Sequence, residues 1–555
     1  YDIAGPFQLP DLNSPVPCDV NSDEVLNVQD IILMVNDVLI IEPFNVEQIE
    51  SADVNGDGFI NIADIVVAIT YILDDIGPLF NFSESWTGND SYIFIHYSAA
   101  VGNSSALWNS NTKEAFIQNS PSNVHYFFLS NGNNPEQNVI DMKLEFEEIL
   151  SLLPPVQQEH WNTHLHFVPL RSSSFNNWIE NVIAGRYAFA IDRFQRIREI
   201  GYLGNPNGFT GTHMSYLAHE PHYFNYEWSI RPEAVEEEFI EFTIFDTTYH
   251  PPGWGATLVD TVTFPDDNFL STVTQMEIDL NILCWNSEVG MWTDESCDPY
   301  DRTAKMYICD LDGSNCEEFA RWITPFRRHT KWLMDISPFI AQLRPGGDRY
   351  VKFRISGWPN AHVTSTLRFY QNQPEEYEAF AYEPLWNWVH GFNDSYNDVI
   401  EPLIFTPPEE TVKTEFVTYI TGHGMACDIG NCAEFCNSKH FFEVNGGYTF
   451  DKSHPEANLL EGCLQIERIQ EGTIPNQWGT WGYGRAGWCP GLNVDPFIHD
   501  ITEHIYPGIE NIISYWSCWS QTQNVCHEDI FPTPVDCGGG YAGEIHISSY
   551  IIYYR

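Results

Sequence analysis

The sequence predicts a mainly β protein with two antiparallel jelly-roll domains, preceded by a small α-helical module and a mixed α/β domain. From about residue 236, short segments of alternating polar and apolar residues are separated by Gly, Pro, Asn and Asp turns, which is typical of sandwich and jelly-roll domains. Aromatic residues are abundant, with 18 Trp, 27 Tyr and 36 Phe, and buried sheets favour them. A chain of 555 residues is also too long for one core.

Four domains are expected from the changes of pattern along the chain. A break near residues 374–382, where Glu and Pro interrupt the strands, separates the two jelly rolls. The predicted strands of the second half include 239–245, 275–283, 304–309, 350–355, 415–420 and 545–553. The predicted domains are residues 1–78, 79–235, 236–377 and 378–555.

A repeated acidic loop near the N-terminus predicts calcium binding. Oxygen-bearing side chains occupy positions 1, 3, 5, 9 and 12 of both copies, the pattern of EF-hand-type loops. Each loop runs into an apolar helix, predicted over 31–39 and 65–73. In the first copy Glu24 stands where glycine normally makes the turn. The predicted metal ligands are Asp19, Asn21, Asp23, Asn27, Asp30, Asp53, Asn55, Asp57, Asn61 and Asp64.

This duplicated loop and helix resembles a dockerin module. The resemblance implies structural calcium and a cohesin partner bound through the helix faces. The alternative is a calcium-stabilised spacer.

The segment 79–235 predicts a mixed α/β accessory domain. Strand-like apolar runs cover 92–97, 124–129, 164–169 and 187–191, and a helical pattern covers 136–153. No cysteine lies between Cys18 and Cys284, so thiol chemistry is excluded from this segment. The domain either restricts a substrate cleft or acts as a spacer.

The charge and hydropathy of the chain limit its partners. With 25 Lys+Arg against 77 Asp+Glu, the net charge is −52, which repels phosphate backbones and makes nucleic acid an unexpected partner. No apolar run approaches the ~20 residues that span a bilayer. We expect a secreted or cell-surface-associated monomer that has lost its signal peptide.

Twelve of the 13 cysteines lie between Cys284 and Cys537, at close spacings typical of disulfides in exported proteins. The pair Cys432 and Cys436 closes a tight loop with Glu434 at its centre, and such a loop would fix a carboxylate in place. Since the total is odd, at least one thiol is free or intermolecular. The pairing of Cys18, Cys427, Cys518, Cys526 and Cys537 is left open. The candidate disulfide residues are Cys284, Cys297, Cys309, Cys316, Cys432, Cys436, Cys463 and Cys489.

Several motifs in the second half occur in the order of a known family. Together they resemble the bacterial peptide-N-glycosidase F family over about 300 residues, which implies two side-by-side eight-stranded jelly rolls. The motifs are Val262-Thr263-Phe264-Pro265, Asp298-Pro299-Tyr300-Asp301-Arg302, Arg321-Trp322-Ile323-Thr324-Pro325, Ile420-Thr421-Gly422-His423-Gly424, Cys432-Ala433-Glu434-Phe435-Cys436 and Arg485-Ala486-Gly487-Trp488-Cys489-Pro490-Gly491.

The resemblance implies a cofactor-independent hydrolase that acts on the amide between asparagine and the innermost N-acetylglucosamine of an N-glycan. The expected products are a glycosylamine and a peptide in which Asn has become Asp. Asp301 is the expected general base for water, a role suited to a carboxylate with a tuned pKa. Glu434 is expected to orient water or the chitobiose core. The resemblance assigns substrate binding to Arg302, Arg485, Trp488, Trp358, Asp298, Tyr300, His423 and Ser356.

The chain departs from the family pattern at a few of these positions. Ser356 stands where the family has a further glutamate, and Tyr300 is the aromatic residue before the catalytic aspartate. His423 and Met425 replace Trp and His. These changes leave the reaction class unaltered and the glycan preference, including tolerance of core fucose, open.

Two other functions compete with hydrolysis. A non-catalytic N-glycan-binding module displayed through a dockerin explains the aromatic residues, the calcium loops and Ser356. It does not explain the retention of Asp301, Arg302, Glu434 and Arg485. A copper monooxygenase also uses paired jelly rolls, but the His and Met ligand sets that it needs are not evident.

Overall fold

The computed structural model describes the chain except residues 1, 24, 55–57, 74–77, 202–212, 289, 358–360, 372–376, 394, 425–432, 458, 478 and 520–541. The chain forms two compact units. The first contains Tyr1–Gly204 and Thr210–Phe224, and the second contains Asn205–Phe209 and Asn225–Arg555. The predicted fold class, mainly β with antiparallel sheets after an α-helical and an α/β region, is confirmed.

The repeated loops of the first unit lead into the helices that the sequence predicts. Asn27 caps the first helix with a capping box, because its side chain accepts the N–H of Gln29 and its own N–H is accepted by Asp30. A small core around Met34, Ala52 and Ala68 joins the helices. They are α1 (Val28–Val38), α2 (Val46–Ala52) and α3 (Ile62–Leu73).

The α/β part of the first unit is built on a mixed five-stranded sheet in the order β5-β4-β3-β6-β7, with β3, β4 and β5 parallel. Its strands are β3 (Ser91–Tyr97), β4 (Val124–Ser130), β5 (Leu165–Arg171), β6 (Ala188–Ile191) and β7 (Ile197–Glu199). Its helices are α4 (Phe82–Ser85), α5 (Ser104–Trp108), α6 (Lys113–Asn119), α7 (Pro135–Leu150), α8 (Pro155–His164) and α9 (Trp178–Ile183), and α10 (His219–Ser229) follows them. The strands and the long helix match the predicted ones.

A short pairing brackets the dockerin-like segment. Strand β1 (Gln8–Pro10) pairs with β2 (Leu79–Asn81). Phe7 and Leu9 pack in the same core as Phe94 and Phe127 of the α/β sheet. The predicted domain boundary at residue 78 stays a prediction, whereas Ala4, Phe7 and Leu9, which precede the dockerin-like segment, contribute to the α/β core.

The first half of the second unit contains two four-stranded antiparallel sheets, ordered β8-β17-β10-β15 and β9-β16-β13-β14. Two short strands, β11 (Trp285–Asn286) and β12 (Met291–Trp292), form a hairpin within the loop after β10. The strands are β8 (Phe239–Tyr249), β9 (Leu258–Phe264), β10 (Gln275–Leu283), β13 (Thr303–Cys309), β14 (Glu317–Ile323), β15 (Thr330–Asp335), β16 (Gly347–Ile355) and β17 (His362–Tyr370). The helices are α11 (Asp267–Leu270) and α12 (Ile340–Leu343).

The second half repeats this strand order in two further sheets, β18-β25-β20-β23 and β19-β24-β21-β22. Each half has eight sheet strands when the β11–β12 hairpin is not counted. In both halves the first of these strands pairs with the eighth and the second with the seventh, which is the jelly-roll order. The strands are β18 (Ala379–Gly391), β19 (Leu403–Phe405), β20 (Lys413–His423), β21 (Ser438–Val444), β22 (Tyr448–Ser453), β23 (Phe497–Asp500), β24 (Asn511–Trp519) and β25 (Glu544–Tyr554). The helix is α13 (Ile466–Gln470).

The two jelly rolls lie side by side within the second unit and share apolar packing. Tyr419, Tyr550 and Trp488 of the second roll belong to the core of the first. Phe339 stacks on Tyr419 with ring centroids 5.6 Å apart. Both rings are fully buried, so this contact packs the two rolls against each other.

Disulfides join Cys284 to Cys297, Cys309 to Cys316 and Cys463 to Cys489. Cys436 and Cys518 are also disulfide-bonded, whereas Cys432, Cys427, Cys526 and Cys537 lie outside the described residues. Cys18 is a buried free thiol. None of the helices in the described ranges is long and apolar enough to cross a membrane.

Candidate active site

The segment that carries Asp301 is held at both of its ends. The disulfide between Cys284 and Cys297 closes the loop that precedes it. On the other side, the Arg302 N–H donates to Thr324 Oγ1 at 2.8 Å, and the Thr324 N–H donates to the Arg302 carbonyl at 2.8 Å. Asp301 is therefore fixed immediately before strand β13, with its side chain 19% exposed.

Arg485 connects the two predicted catalytic acids. Its side chain is fully buried, and its guanidinium donates from Nε to Glu434 Oε1 at 3.3 Å and lies 3.6 Å from Asp301 Oδ2 through Nη2. The remaining donors bind the Tyr483 carbonyl at 2.6 Å and Thr480 Oγ1 at 2.8 Å. These contacts fix the plane of the guanidinium, so one cation faces both carboxylates.

Glu434 is positioned by the end of strand β20. The Gly424 N–H donates to Glu434 Oε2 at 3.1 Å, and the Ala486 N–H donates to the Glu434 carbonyl at 2.8 Å. Gly424 has a φ of 92°, and a Cβ there would lie 2.2 Å from the Ala542 carbonyl oxygen. Only glycine therefore brings this N–H to the carboxylate.

The two acids have raised pKa values. Burial raises the pKa of Asp301 above 3.8, against the opposing effect of the Arg485 and Arg302 cations. Burial also raises the pKa of Glu434 to about 7, with a further increase from the charge of Asp301 and a decrease from Arg485. Near neutral pH the pair can hold one proton and one negative charge, as a base and a hydrogen-bond donor require.

Arg302, Asp298 and Tyr300 form the more exposed side of this site. Arg302 Nε lies 3.1 Å from Asp298 Oδ2, and Asp298 Oδ1 also accepts the Tyr300 N–H at 2.9 Å. The Tyr300 side chain is 60% exposed. Asp298 thus braces both the loop and the arginine.

Trp488 and His423 lie behind Arg485. Trp488 is 6% exposed, its Nε1–H donates to the Gly422 carbonyl at 2.8 Å, and its ring lies 4.8 Å from the Arg485 guanidinium. His423 stacks on the same indole at 5.2 Å. Burial, followed by the neighbouring His546, lowers the pKa of His423 well below 6.5, so the ring is neutral. Both rings pack against protein groups, and their predicted contact with substrate stays a prediction.

Ser356 precedes Gly357, whose backbone lies close to the Arg302 side chain. The Ser356 N–H donates to the Thr303 carbonyl at 3.1 Å, and a Cβ on the following Gly357 would lie 2.8 Å from Arg302 Cζ. Trp358 lies outside the described residues. The structure therefore brings together Asp298, Tyr300, Asp301, Arg302, Ser356, His423, Glu434, Arg485 and Trp488.

A buried charge cluster lies behind the site and contains Glu318, Arg321 and Lys305, to which the sequence motifs assign no role. Arg321 donates to Glu318 Oε1 at 2.5 Å and to Thr421 Oγ1 at 2.8 Å, and Lys305 Nζ lies 3.1 Å from Glu318 Oε2. The Thr421 hydroxyl in turn lies 2.8 Å from His423 Nε2. The sequence signal for this cluster is the presence of charged residues in the otherwise apolar strand Glu317–Ile323.

The ionisation of this cluster follows from its burial. Burial alone would raise the pKa of Glu318, but Arg321 and Lys305 lower it to about 2. Burial lowers the pKa of Lys305 to about 8. Glu318 is therefore the anion that compensates two cations of the first roll at its contact with the second.

Some of the calcium ligands predicted in the N-terminal loops are arranged as a cation site requires. Asp64 is fully buried, and its Oδ1 has no hydrogen-bond partner among the described residues. In the first loop, the Asp23 N–H donates to Asp19 Oδ1 at 3.2 Å and to Asn21 Oδ1 at 2.9 Å, which gathers the early ligands. Asn27 and Asn61 cap helices, and Asp30 accepts main-chain N–H groups. Asn55 and Asp57 lie outside the described residues.

Cysteine and histidine side chains with metal-ligand spacing also occur in the first jelly roll, at Cys284, Cys297 and His329. The two thiols form a disulfide, so the thiolates that a metal would need are not available.

Comparison with known proteins identifies two segments of the chain. Residues 391–552 match the family model for the C-terminal part of peptide-N-glycosidase F, and residues 17–73 match the model for the dockerin type I domain. The peptide-N(4)-(N-acetyl-beta-D-glucosaminyl)asparagine amidase F of Elizabethkingia miricola is 28% identical over 289 residues, which is 49% of this chain and 74% of that protein.

Two solved structures are among those similar to the chain. The structure of PNGase F, a glycosylasparaginase from Flavobacterium meningosepticum, is 21% identical, with a TM-score of 0.43, over 57% of this chain and 96% of that one. A structure of PNGF-II is 14% identical, with a TM-score of 0.42, over 57% of this chain and 65% of that one.

The resemblances predicted from the motifs are thereby confirmed for both ends of the chain. The protein carries a dockerin type I segment at residues 17–73 and a segment of the peptide-N-glycosidase F type at residues 391–552.

Proposed function

We propose that the second unit is a peptide-N-glycosidase that hydrolyses the amide between asparagine and the innermost N-acetylglucosamine of N-glycans. The observation that carries the proposal is the contact of one buried guanidinium, Arg485, with both Asp301 and Glu434. The sequence similarity to an amidase of this type supports the same reaction class.

In this mechanism the ionised Asp301 accepts a proton from water as the water oxygen bonds to the amide carbon. Glu434, whose pKa is about 7, is the protonated partner that donates a hydrogen bond to the reacting group. The C–N bond then breaks as Asp301 returns the proton that it accepted from water to the leaving nitrogen, which restores the ionised carboxylate. The products are the Asp peptide and a glycosylamine, which loses ammonia.

The test is digestion of a defined N-glycopeptide in heavy-oxygen water, with the products identified by mass spectrometry. We expect heavy-labelled Asp and an intact glycan. A peptide that retains one N-acetylglucosamine would mean cleavage within chitobiose and would refute the assignment. Asp301→Asn is the matched inactive control.

A glycan-binding module without catalysis is the second candidate. The exposed ring of Tyr300 and the absence of a carboxylate at Ser356 favour it. Under this alternative the glycopeptide is retained by the wild-type protein and never cleaved, and Ser356→Glu is the variant to examine for restored activity.

We also propose that the N-terminal loops hold structural calcium and that their helices bind a cohesin. The buried Asp64 Oδ1 supports the metal, and the dockerin match supports the partner. Calcium should raise the melting temperature of the first unit, and Asp64→Ala should remove that increase while Glu47→Gln, on an exposed part of α2, keeps it. An unchanged melting temperature in calcium would contradict the proposal. The disulfides support an extracellular location.

A further inference from the structure

A tight loop of the first jelly roll presents an exposed indole beside the candidate active site. Residues 251–256 read Pro-Pro-Gly-Trp-Gly-Ala, and Trp254 is 57% exposed. Gly253 and Gly255 flank it with φ values of 126° and 81°, which only glycine adopts without strain. The Ala256 N–H donates to the Gly253 carbonyl at 3.2 Å and closes the turn.

The base of this loop is anchored in the roll by His250. This residue is fully buried, and its N–H donates to the Ala361 carbonyl at 2.9 Å. Its Nδ1 lies 2.8 Å from the Pro251 carbonyl, and its Nε2 accepts the Ile355 N–H at 3.4 Å. Nδ1 is therefore the protonated nitrogen, and the ring ties the loop to strand β16.

The Trp254 indole lies next to Arg302 of the candidate active site. Arg302 Cζ lies 5.4 Å from the Trp254 ring and 5.2 Å from the Tyr300 ring. Gly357 leaves the space that the guanidinium occupies, because a Cβ there would lie 2.8 Å from Arg302 Cζ. Asp301 directly precedes Arg302 in the chain, so the contacts of Arg302 connect the exposed indole to the segment that carries the candidate base.

We propose that Trp254 forms a stacking subsite for a pyranose ring of the glycan, beyond the sugar attached to asparagine. The inference rests on the proposed function for the position of the scissile bond. Pyranose rings offer an apolar C–H face that an exposed indole can cover, and Arg302 supplies N–H donors at its edge. Asp298 compensates the charge of Arg302 at 3.1 Å, so the subsite suits a neutral sugar better than an acidic peptide.

The test compares Trp254→Ala with the wild-type protein on one peptide that carries one N-acetylglucosamine, chitobiose or the trimannosyl pentasaccharide. On the two longer glycans we expect KM to rise about tenfold with kcat within twofold, since uniform binding is lost. The single-sugar substrate should show no change. Trp254→Phe should keep most of the affinity, and Leu311→Ala, another exposed apolar truncation in the same roll, should behave as wild type.

Two results would overturn the subsite. KM that is unchanged on every glycan means that Trp254 does not contact the substrate. An equal rise on the single-sugar peptide places it at the linkage or the peptide.

The same comparison by fluorescence titration in the Asp301→Asn background separates this inference from the proposed function. A tenfold loss of glycopeptide affinity there, in a protein whose wild type does not hydrolyse, would support the subsite and refute the amidase. Equal affinity with and without Trp254 would refute the subsite alone.

Discussion

The two jelly rolls have the same strand order but contribute opposite kinds of groups to the site. Each carries an acid just before its fourth sheet strand, Asp301 before β13 and Glu434 before β21. The first roll adds exposed groups, Tyr300 and Trp254, around a partly exposed Arg302. The second adds Arg485 and Trp488, which are buried. One topology thus supplies exposed aromatic groups from one copy and a buried cation from the other.

This division follows from where each loop packs. The segment before β13 is closed by its own disulfide and leaves the Tyr300 side chain exposed. The loop that carries Arg485 is covered by the contact of the two rolls, because Trp488 belongs to the core of the first roll. The pair of acids is therefore complete only when both rolls are in place, and substitutions in each roll can separate their contributions.

The largest effect is expected from Asp301→Asn. Loss of a general base typically costs 10²–10⁴-fold in rate, and the amide is similar in size, so the fold should persist. The measurement is the initial rate of glycopeptide hydrolysis beside the melting temperature. Asp312→Asn, in an exposed turn of the same roll, is the control. Activity within tenfold of wild type would mean that the first roll does not provide the base.

Glu318→Gln breaks the charge cluster at the contact of the rolls. Removing one partner of a buried ion pair costs about 3–5 kcal/mol of unfolding free energy, and here Arg321 and Lys305 would both lose their anion. Asp451→Asn, whose ion pair with Lys439 is half-exposed, should cost about 0–1 kcal/mol. Chemical denaturation of the two variants tests this difference, and equal losses would show that the cluster does not hold the rolls together.

Arg485→Met removes the cation that the second roll places between the acids. Because Arg485 lowers the pKa of Asp301 and of Glu434, both pKa values should rise without it. The acidic limb of the kcat/KM profile should then move by about one pH unit or more toward higher pH. Arg485→Lys keeps the charge but loses the planar fork, so its rate should fall while the limb stays in place. An acidic limb that does not move in the Arg485→Met variant would contradict the electrostatic contact of Arg485 with the two acids.

Much of the fold could be predicted from the sequence because it depends on local pattern. Strand β10 was predicted over the residues that it covers, since its side chains alternate between buried and half-buried. The two acids of the site, Asp301 and Glu434, could be predicted because each lies in a short motif. The contact of Arg485 with Asp301 and the hydrogen bond from Arg321 to Thr421 depend on how the two rolls meet, over long separations in sequence. No local period encodes such a contact, and Trp254 lies outside all of the motifs that resemble the family.

The smallest effect is expected from Glu434→Gln, which tests the second acid alone. An acid whose pKa is raised to about 7 stays protonated up to that pH, so a protonated Glu434 predicts that kcat/KM falls as pH rises through about 7. Gln keeps an N–H donor and does not titrate. The variant should therefore lose about tenfold in rate near neutral pH and lose the alkaline limb between pH 6 and 8. A profile from pH 5 to 9 distinguishes the outcomes. An alkaline limb that persists in the variant, or wild-type activity that rises through pH 7, would assign the proton to another group and leave Glu434 as a positioning residue for Arg485.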